Sequence, residues 1–256
     1  MKKSDDCIAV DVGNTRISCA VFKSDQLVDL QHHAHADGVL VAKMIASRAQ
    51  GTGSPIALCS VVPAVAGTMT AIFAESRVQF CEVIADKQSI VSGIYPTMGA
   101  DRVANMAAAR IYARDRAALV LDFGTATTLT AVDACGKFLG GFITLGLAAT
   151  FSALHNSTAQ LPDLSGIISD VPDLSLAFTT AEAIQSGTLL AHTGAVEHWI
   201  KTAREQIGTE AAVIATGGLS GMMSAYSKTF DYVEPNLTLF GIKLIAQAAT
   251  DPADRV

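Results

Sequence analysis

Charge and aromatic rings are both scarce in this chain. Only 16% of its 256 residues are charged and 6% are aromatic, with Trp199 the single tryptophan. Half of the residues are hydrophobic, so a sizeable core is available and a disordered chain is excluded. The charges sum to −6, which argues against broad, charge-driven binding of nucleic acid while leaving room for a local anion pocket. The cysteines at 7, 19, 59, 81 and 135 form no Cys-x-x-Cys pair and read as reduced thiols of a cytoplasmic protein. No run of about 18 apolar residues is present, so no membrane span is expected. Met1 to Asp6 lead into a strand and are not expected to form a signal peptide. Two common phosphate loops are also missing. There is no Gly-x-x-x-x-Gly-Lys-Ser/Thr, and no Gly-x-Gly-x-x-Gly after a strand. His32, His33 and His35 have no acid or thiol at ligand spacing except Asp37; they read as a solvated strand, with His33 and His35 on one face.

What the chain does have is one motif twice. Asp11-Val12-Gly13-Asn14-Thr15 follows the apolar run Cys7–Val10 and precedes the β-rich run Ile17–Phe22. Asp122-Phe123-Gly124-Thr125-Ala126-Thr127-Thr128 sits 111 residues later, between Ala118–Leu121 and Leu129–Val132. Each copy predicts strand, tight glycine turn, strand, with an acid near the end of the first strand. A nucleotide triphosphate needs donors around its oxygens, a divalent cation and an acid for that cation or its waters. Glycine lets a backbone approach the phosphates. Two such hairpins facing each other across a cleft would meet these needs. At the same offset Ala20 and Ala131, and Val21 and Val132, also coincide, which suggests internal duplication.

The rest of the chain alternates strands with helices, the pattern of an α/β protein. Helices are predicted over Asp37–Arg48, Ala64–Arg77, Asp101–Arg114, Leu147–Leu161, Thr179–Gly208 and Phe240–Ala249. Asp37 is a candidate N-cap, and Thr179 with Glu182 has capping-box spacing. Gly187 and Gly194 inside the long helix suggest close approach of another backbone. The charged turn Arg114-Asp115-Arg116 predicts a boundary between an N-terminal domain, 1–116, and a C-terminal domain, 117–256. Thr216-Gly217-Gly218 follows a predicted strand and could meet adenosine or phosphate.

Gly99-Ala100-Asp101-Arg102 is a further candidate site. Asp101 at a helix start is favoured by the dipole whatever its role, and could also take a hydroxyl proton. Arg102 could bind a carboxylate or steady phosphate charge, with Tyr95 and Pro96 as a pocket wall.

Asp11–Thr15, Gly99–Arg102, Asp122–Ala126 and Gly140–Ile143, together with Thr180–Gly187 and Leu237–Leu239, resemble the type III pantothenate kinases in order and spacing. This family includes the Bvg accessory factor-like proteins. The resemblance spans nearly the whole chain. It implies the acetate and sugar kinase/Hsp70/actin-like (ribonuclease H-like) fold, with two similar halves and a cleft between. It implies transfer of the ATP γ-phosphate to the pantothenate hydroxyl, giving 4′-phosphopantothenate in the first step of coenzyme A synthesis. ATP with Mg2+, a monovalent cation (K+ or NH4+) and a cytoplasmic homodimer are implied with it.

Carried over, Asp11, Val12, Gly13, Asn14, Thr15, Arg16, Ile17, Ser18 and Thr125 would contact ATP, with Asp11 near the magnesium shell. Asp101 would be the base. Tyr95, Gly99, Ala100, Asp101, Arg102 and Thr180 would bind pantothenate, and Asp122 would hold the monovalent cation. Two positions depart from the family pattern. Leu145 stands where many members have proline after the Gly-Gly-x-Ile-x segment, and Ser18 stands where many have lysine. A non-catalytic nucleotide-binding accessory protein of the same fold, or a kinase for another small hydroxyl compound, are the alternatives.

Overall fold

A computed structural model of the chain describes residues 6–166 and 174–250, so most of the Met1–Asp6 lead-in lies outside the described residues. The chain divides into two compact units, one of residues 1–108 with 237–256 and one of residues 109–236.

The first unit is built on β1 (Cys7–Val12), β2 (Ile17–Lys23), β3 (Gln26–His33), β4 (Ile56–Ser60) and β5 (Phe80–Glu82), in the sheet order β3-β2-β1-β4-β5. The first three strands are an antiparallel meander, whereas β4 and β5 join in parallel. Parallel neighbours need crossover helices, and these are α1 (Gly38–Thr52) and α2 (Pro63–Glu75). One sheet face buries Ile8, Val10, Val12, Ile17 and Leu58 against Val41 and Ile45 of α1 and Met69 and Phe73 of α2. Alternation along β1 then sends Ala9 and Asp11 to the opposite face.

Helix α3 (Ala100–Ala113) follows, rich in alanine for a physical reason. A Cβ on Gly241 would overlap the backbone of Ala104, so the last helix, α7 (Leu237–Thr250), meets α3 nearly backbone to backbone. Thr238 Oγ1 donates to Asn105 Oδ1 at 2.8 Å, and Phe240 packs edge-on to Phe22 at 5.2 Å. These bonds tie the C-terminal helix to the N-terminal sheet. The chain therefore passes between the units twice, where the sequence suggests one boundary near Arg116.

The second unit repeats the plan. Its strands are β6 (Ala118–Phe123), β7 (Ala126–Val132), β8 (Phe138–Leu145), β9 (Ala212–Thr216) and β10 (Tyr232–Val233), ordered β10-β9-β6-β7-β8. The β6, β7 and β8 pairings are antiparallel, while β9 and β10 join in parallel. This is the first sheet with each strand replaced by its counterpart. Its core sets Leu119, Leu121, Phe123 and Leu129 against Leu147 and Phe151 of α4 (Leu147–Asn156) and Leu189, Val196 and Ile200 of α5 (Thr180–Ile207). The short α6 (Ser220–Tyr226) precedes β10.

The duplication is closer in structure than in sequence, with one correction. Asp11 pairs with Ser18 across the first hairpin, and Asp122 with Thr128 across the second. The second turn is one residue shorter, so β7 matches β2 at an offset of 110. Both ladders carry a β-bulge at that offset, between Val21 and Phe22 and between Ala131 and Val132. Asp11/Asp122 and Gly13/Gly124 are true counterparts; Ala20/Ala131 and Val21/Val132 are not.

The expected capping box is present: Thr179 accepts from Glu182 N, and Glu182 accepts from Thr179 N. Asp37 precedes α1 but makes no side-chain cap. Cβ atoms added to Gly187 or Gly194 would meet nothing within 4 Å, so no described backbone of this chain crowds either glycine.

Candidate active site

The first hairpin is closed by Gly13 N donating to Arg16 O at 3.1 Å, which leaves Asn14, Thr15 and Arg16 exposed at its tip. Asp11 lies half-buried just before the turn, beside Cys59 of β4 in parallel register. Val12 and Ile17 are buried, so they shape the turn from below, whereas Ser18 is buried next to Asp11. Two of the histidines that the sequence places on a solvated strand touch this hairpin. His32 Nδ1 is hydrogen-bonded to Ser18 Oγ at 3.1 Å, and His35 Nε2 donates to Gly13 O at 2.8 Å. His35 lies in a 3-10 turn after β3, not on the strand face with His33. Counting pairs outward from the turn would have found His32, the register partner of Ser18.

Asp101 enters from the first turn of α3. Its Oδ1 accepts the Arg102 backbone N–H at 2.7 Å. Burial raises its pKa above the ordinary 3.8, with the Arg102 N–H and guanidinium pulling the other way. Gly99 makes room for it, since a Cβ there would overlap the Asp101 carboxylate and come within 3.6 Å of Val61. Arg102 is only 8% exposed and donates from Nη1 to Tyr95 Oη at 2.6 Å. Met98 N in turn donates to Tyr95 O at 3.0 Å, closing the loop that carries the tyrosine.

Cys59 reports where these groups converge. Its thiol is held well above its usual range, by burial first and then by the charges of Asp11 and Asp101. Both carboxylates thus act on one point at the C-terminal end of β1 and β4, where the first unit gathers Asp11–Ser18, Tyr95 and Gly99–Arg102. Ligands of open α/β sheets characteristically sit beyond the carboxyl ends of strands.

In the second unit, Gly124 N donates to Ala126 O at 3.1 Å, with Thr125 exposed at the turn. Asp122 is half-buried and pairs in register with Thr216 of β9. Gly217, at φ +89°, lies against it: a Cβ would overlap both the Asp122 carboxylate and the Phe123 backbone. Gly146 likewise leaves no room for a side chain over the carbonyls of Gly124 and Thr125, and its N–H donates to Thr125 O at 2.9 Å. Leu145, at the proline departure, ends β8 half exposed and pairs with Ala126. Thr180 is the exposed first residue of α5. His192 braces the hairpin from below through Thr127 Oγ1 at 2.9 Å. The close approach at Gly146 left only a bare glycine as its sequence signal, whereas Gly217 lies in the Thr216-Gly217-Gly218 segment that follows a predicted strand.

Among the described residues no group of three or more His, Cys, Asp or Glu side chains is arranged to enclose a metal, and no helix is long and apolar enough to cross a membrane.

Residues 7–202 match the family model described as type III pantothenate kinase. The type III pantothenate kinase of Dehalococcoides mccartyi (strain CBDB1) is 31% identical, over 94% of this chain and 95% of its own length. That of Frankia alni is 33% identical, over 93% and 97%. Among solved structures, MreB5 of Spiroplasma citri bound to ADP superposes with a TM-score of 0.56 at 9% identity, covering 98% of this chain and 99% of its own. The fold is thus that of the actin, Hsp70 and sugar-kinase proteins.

Proposed function

The chain belongs to the type III pantothenate kinase family and phosphorylates pantothenate for coenzyme A biosynthesis, and from that premise we propose that Asp101 is the base of the reaction. The supporting observation is the setting of its carboxylate. It is buried enough to have a raised pKa, fixed by the Arg102 N–H, and given space by Gly99. A pure nucleotide-binding module has no use for a carboxylate held this way, which favours catalysis over an accessory role.

The pantothenate hydroxyl oxygen forms a bond to the γ-phosphorus as the bond from that phosphorus to the β–γ bridging oxygen breaks. ADP leaves with the bridging electrons, and the hydroxyl proton passes to Asp101. A raised pKa makes the carboxylate, in its ionised form, a better proton acceptor. Arg102, oriented by Tyr95, pairs with the pantothenate carboxylate, with Gly99, Ala100 and Thr180 completing the acceptor site.

The hairpin Asp11 to Ser18 and Thr125 bind ATP, with contacts from the groups exposed at the turns and with the buried Val12 and Ile17 shaping the first turn beneath. Mg2+ commonly takes one or two carboxylates and otherwise waters and phosphates. Asp11 suits that pattern, with the metal carried by the nucleotide. When bound, the ion offsets phosphate charge. Asp122, in the turn end of β6 with Gly217 against its carboxylate, is the residue to hold K+ or NH4+. The molecule works as a homodimer in the cytoplasm, free of membrane and nucleic acid, in keeping with its acidic charge.

The test is the Asp101→Asn chain, which should bind ATP yet form almost no 4′-phosphopantothenate. An undiminished rate would overturn the assignment.

A further inference from the structure

We propose that His35 is a positioning residue for ATP, fixing the Gly13–Asn14 peptide so that the Asn14 N–H faces the phosphates. The inference rests on the ATP role given above to the first hairpin.

A carbonyl oxygen is a poor neighbour for phosphate, because both carry negative charge. The Gly13 carbonyl lies in the very turn that must receive phosphate oxygens, and glycine allows its peptide to rotate more freely than any other residue would. His35 removes that ambiguity. A carbonyl only accepts, so the 2.8 Å bond fixes the proton on Nε2 and makes the imidazole the donor. In a trans peptide the C=O and the following N–H point in opposite directions. Holding the Gly13 oxygen toward His35 therefore turns the Asn14 N–H the other way, at the exposed tip of the hairpin.

The holder is itself anchored. His35 begins a 3-10 turn closed by Asp37 N donating to Ala34 O at 3.1 Å. Two residues earlier β3 ends, with His33 paired to Ile17 and His32 paired to Ser18. The His32–Ser18 bond adds a side-chain tie between the strands at the base of the same hairpin. Gly13 N is already committed to Arg16 O. Both polar groups of Gly13 are thus engaged, one within the turn and one by His35.

The experiment compares the full-length wild type with His35→Ala and His35→Gln. Binding of the non-hydrolysable analogue ADPNP with magnesium is measured by calorimetry, and steady-state kinetics are measured for both substrates. His35→Ala should weaken ADPNP binding and raise KM for ATP by about 5- to 10-fold, the worth of one hydrogen bond. KM for pantothenate and kcat should stay within about twofold of wild type, because the effect is confined to the nucleotide turn. Glutamine carries an amide donor at similar reach, so His35→Gln should recover most of the loss. Unchanged ADPNP binding in His35→Ala, or a fall in kcat with KM for ATP untouched, would overturn the proposal; so would a glutamine variant no better than alanine.

An amide spectrum of the 15N-labelled wild type needs no variant to fold. Adding ADPNP should shift the Asn14 resonance, and a complex that leaves Asn14 unmoved contradicts the proposal. ADPNP binding is read without phosphoryl transfer, so these results are separable from whether pantothenate is the acceptor.

Discussion

Gly99 and Asp101 share a space that cannot take one more methyl group. A Cβ on Gly99 would overlap the Asp101 carboxylate, whose Oδ1 already accepts the Arg102 N–H. The glycine is therefore part of how the proposed base is aimed. Gly99→Ala should lower kcat on the order of 10²-fold, the usual scale for misplacing a catalytic group by about 1 Å. Circular dichroism should show an intact fold and ADPNP should still bind. A wild-type kcat in this variant would mean that the carboxylate has room to spare.

The raised pKa of Asp101 has consequences for both rate and stability. For rate, the proposed base is the ionised form, so kcat/KM should fall as pH drops through a midpoint above the ordinary 3.8. For stability, the unfolded chain gives up this proton first as pH rises, while the folded chain retains it. Between 3.8 and the folded value the native state binds more protons, so stability falls as pH rises and the deficit persists at neutral pH. Asp101→Asn should thus be inactive yet at least as stable as wild type at pH 7, as read from denaturant midpoints. A marked loss of stability would point to a structural role for the carboxylate.

Much of this site was legible in the sequence, because its hairpins are local. The apolar runs around Asp11 and Asp122 and their glycine turns specify strand, turn, strand without help from distant residues. The Thr179–Glu182 capping box likewise needs three residues of spacing and nothing else. What stayed hidden depends on partners far along the chain. That α7 belongs with the first sheet rests on Gly241 meeting Ala104 and Phe240 meeting Phe22. The short α6 and β10 have too few residues to set up a period. His35 reaches Gly13 across 22 positions, and only the β2–β3 register brings the two together.

Tyr95 accepts from the buried Arg102 at 2.6 Å. Tyr95→Phe removes that acceptor while keeping the ring. A hydrogen bond to a charged group is worth about 1.5–3 kcal/mol. If that energy serves to orient the guanidinium, KM for pantothenate should rise roughly tenfold or more with little change in KM for ATP. A KM for pantothenate equal to wild type would separate Arg102 from the acceptor.

Gly217 and Asp122 make the corresponding pair in the second unit. Gly217→Ala places a side chain at φ +89° against the Asp122 carboxylate and the Phe123 backbone. It should destabilise the protein by about 1–3 kcal/mol in urea unfolding, the usual cost of such strain. Asp122→Asn keeps the shape and removes the charge, so it should flatten the dependence of rate on K+ or NH4+. An unaltered cation response would move the monovalent site elsewhere.

The most direct test supplies purified protein with ATP, magnesium, pantothenate and either K+ or NH4+, and follows the product by mass spectrometry. Formation of 4′-phosphopantothenate together with ADP is the predicted result. ADP without phosphopantothenate, or no turnover with any monovalent cation, would contradict it.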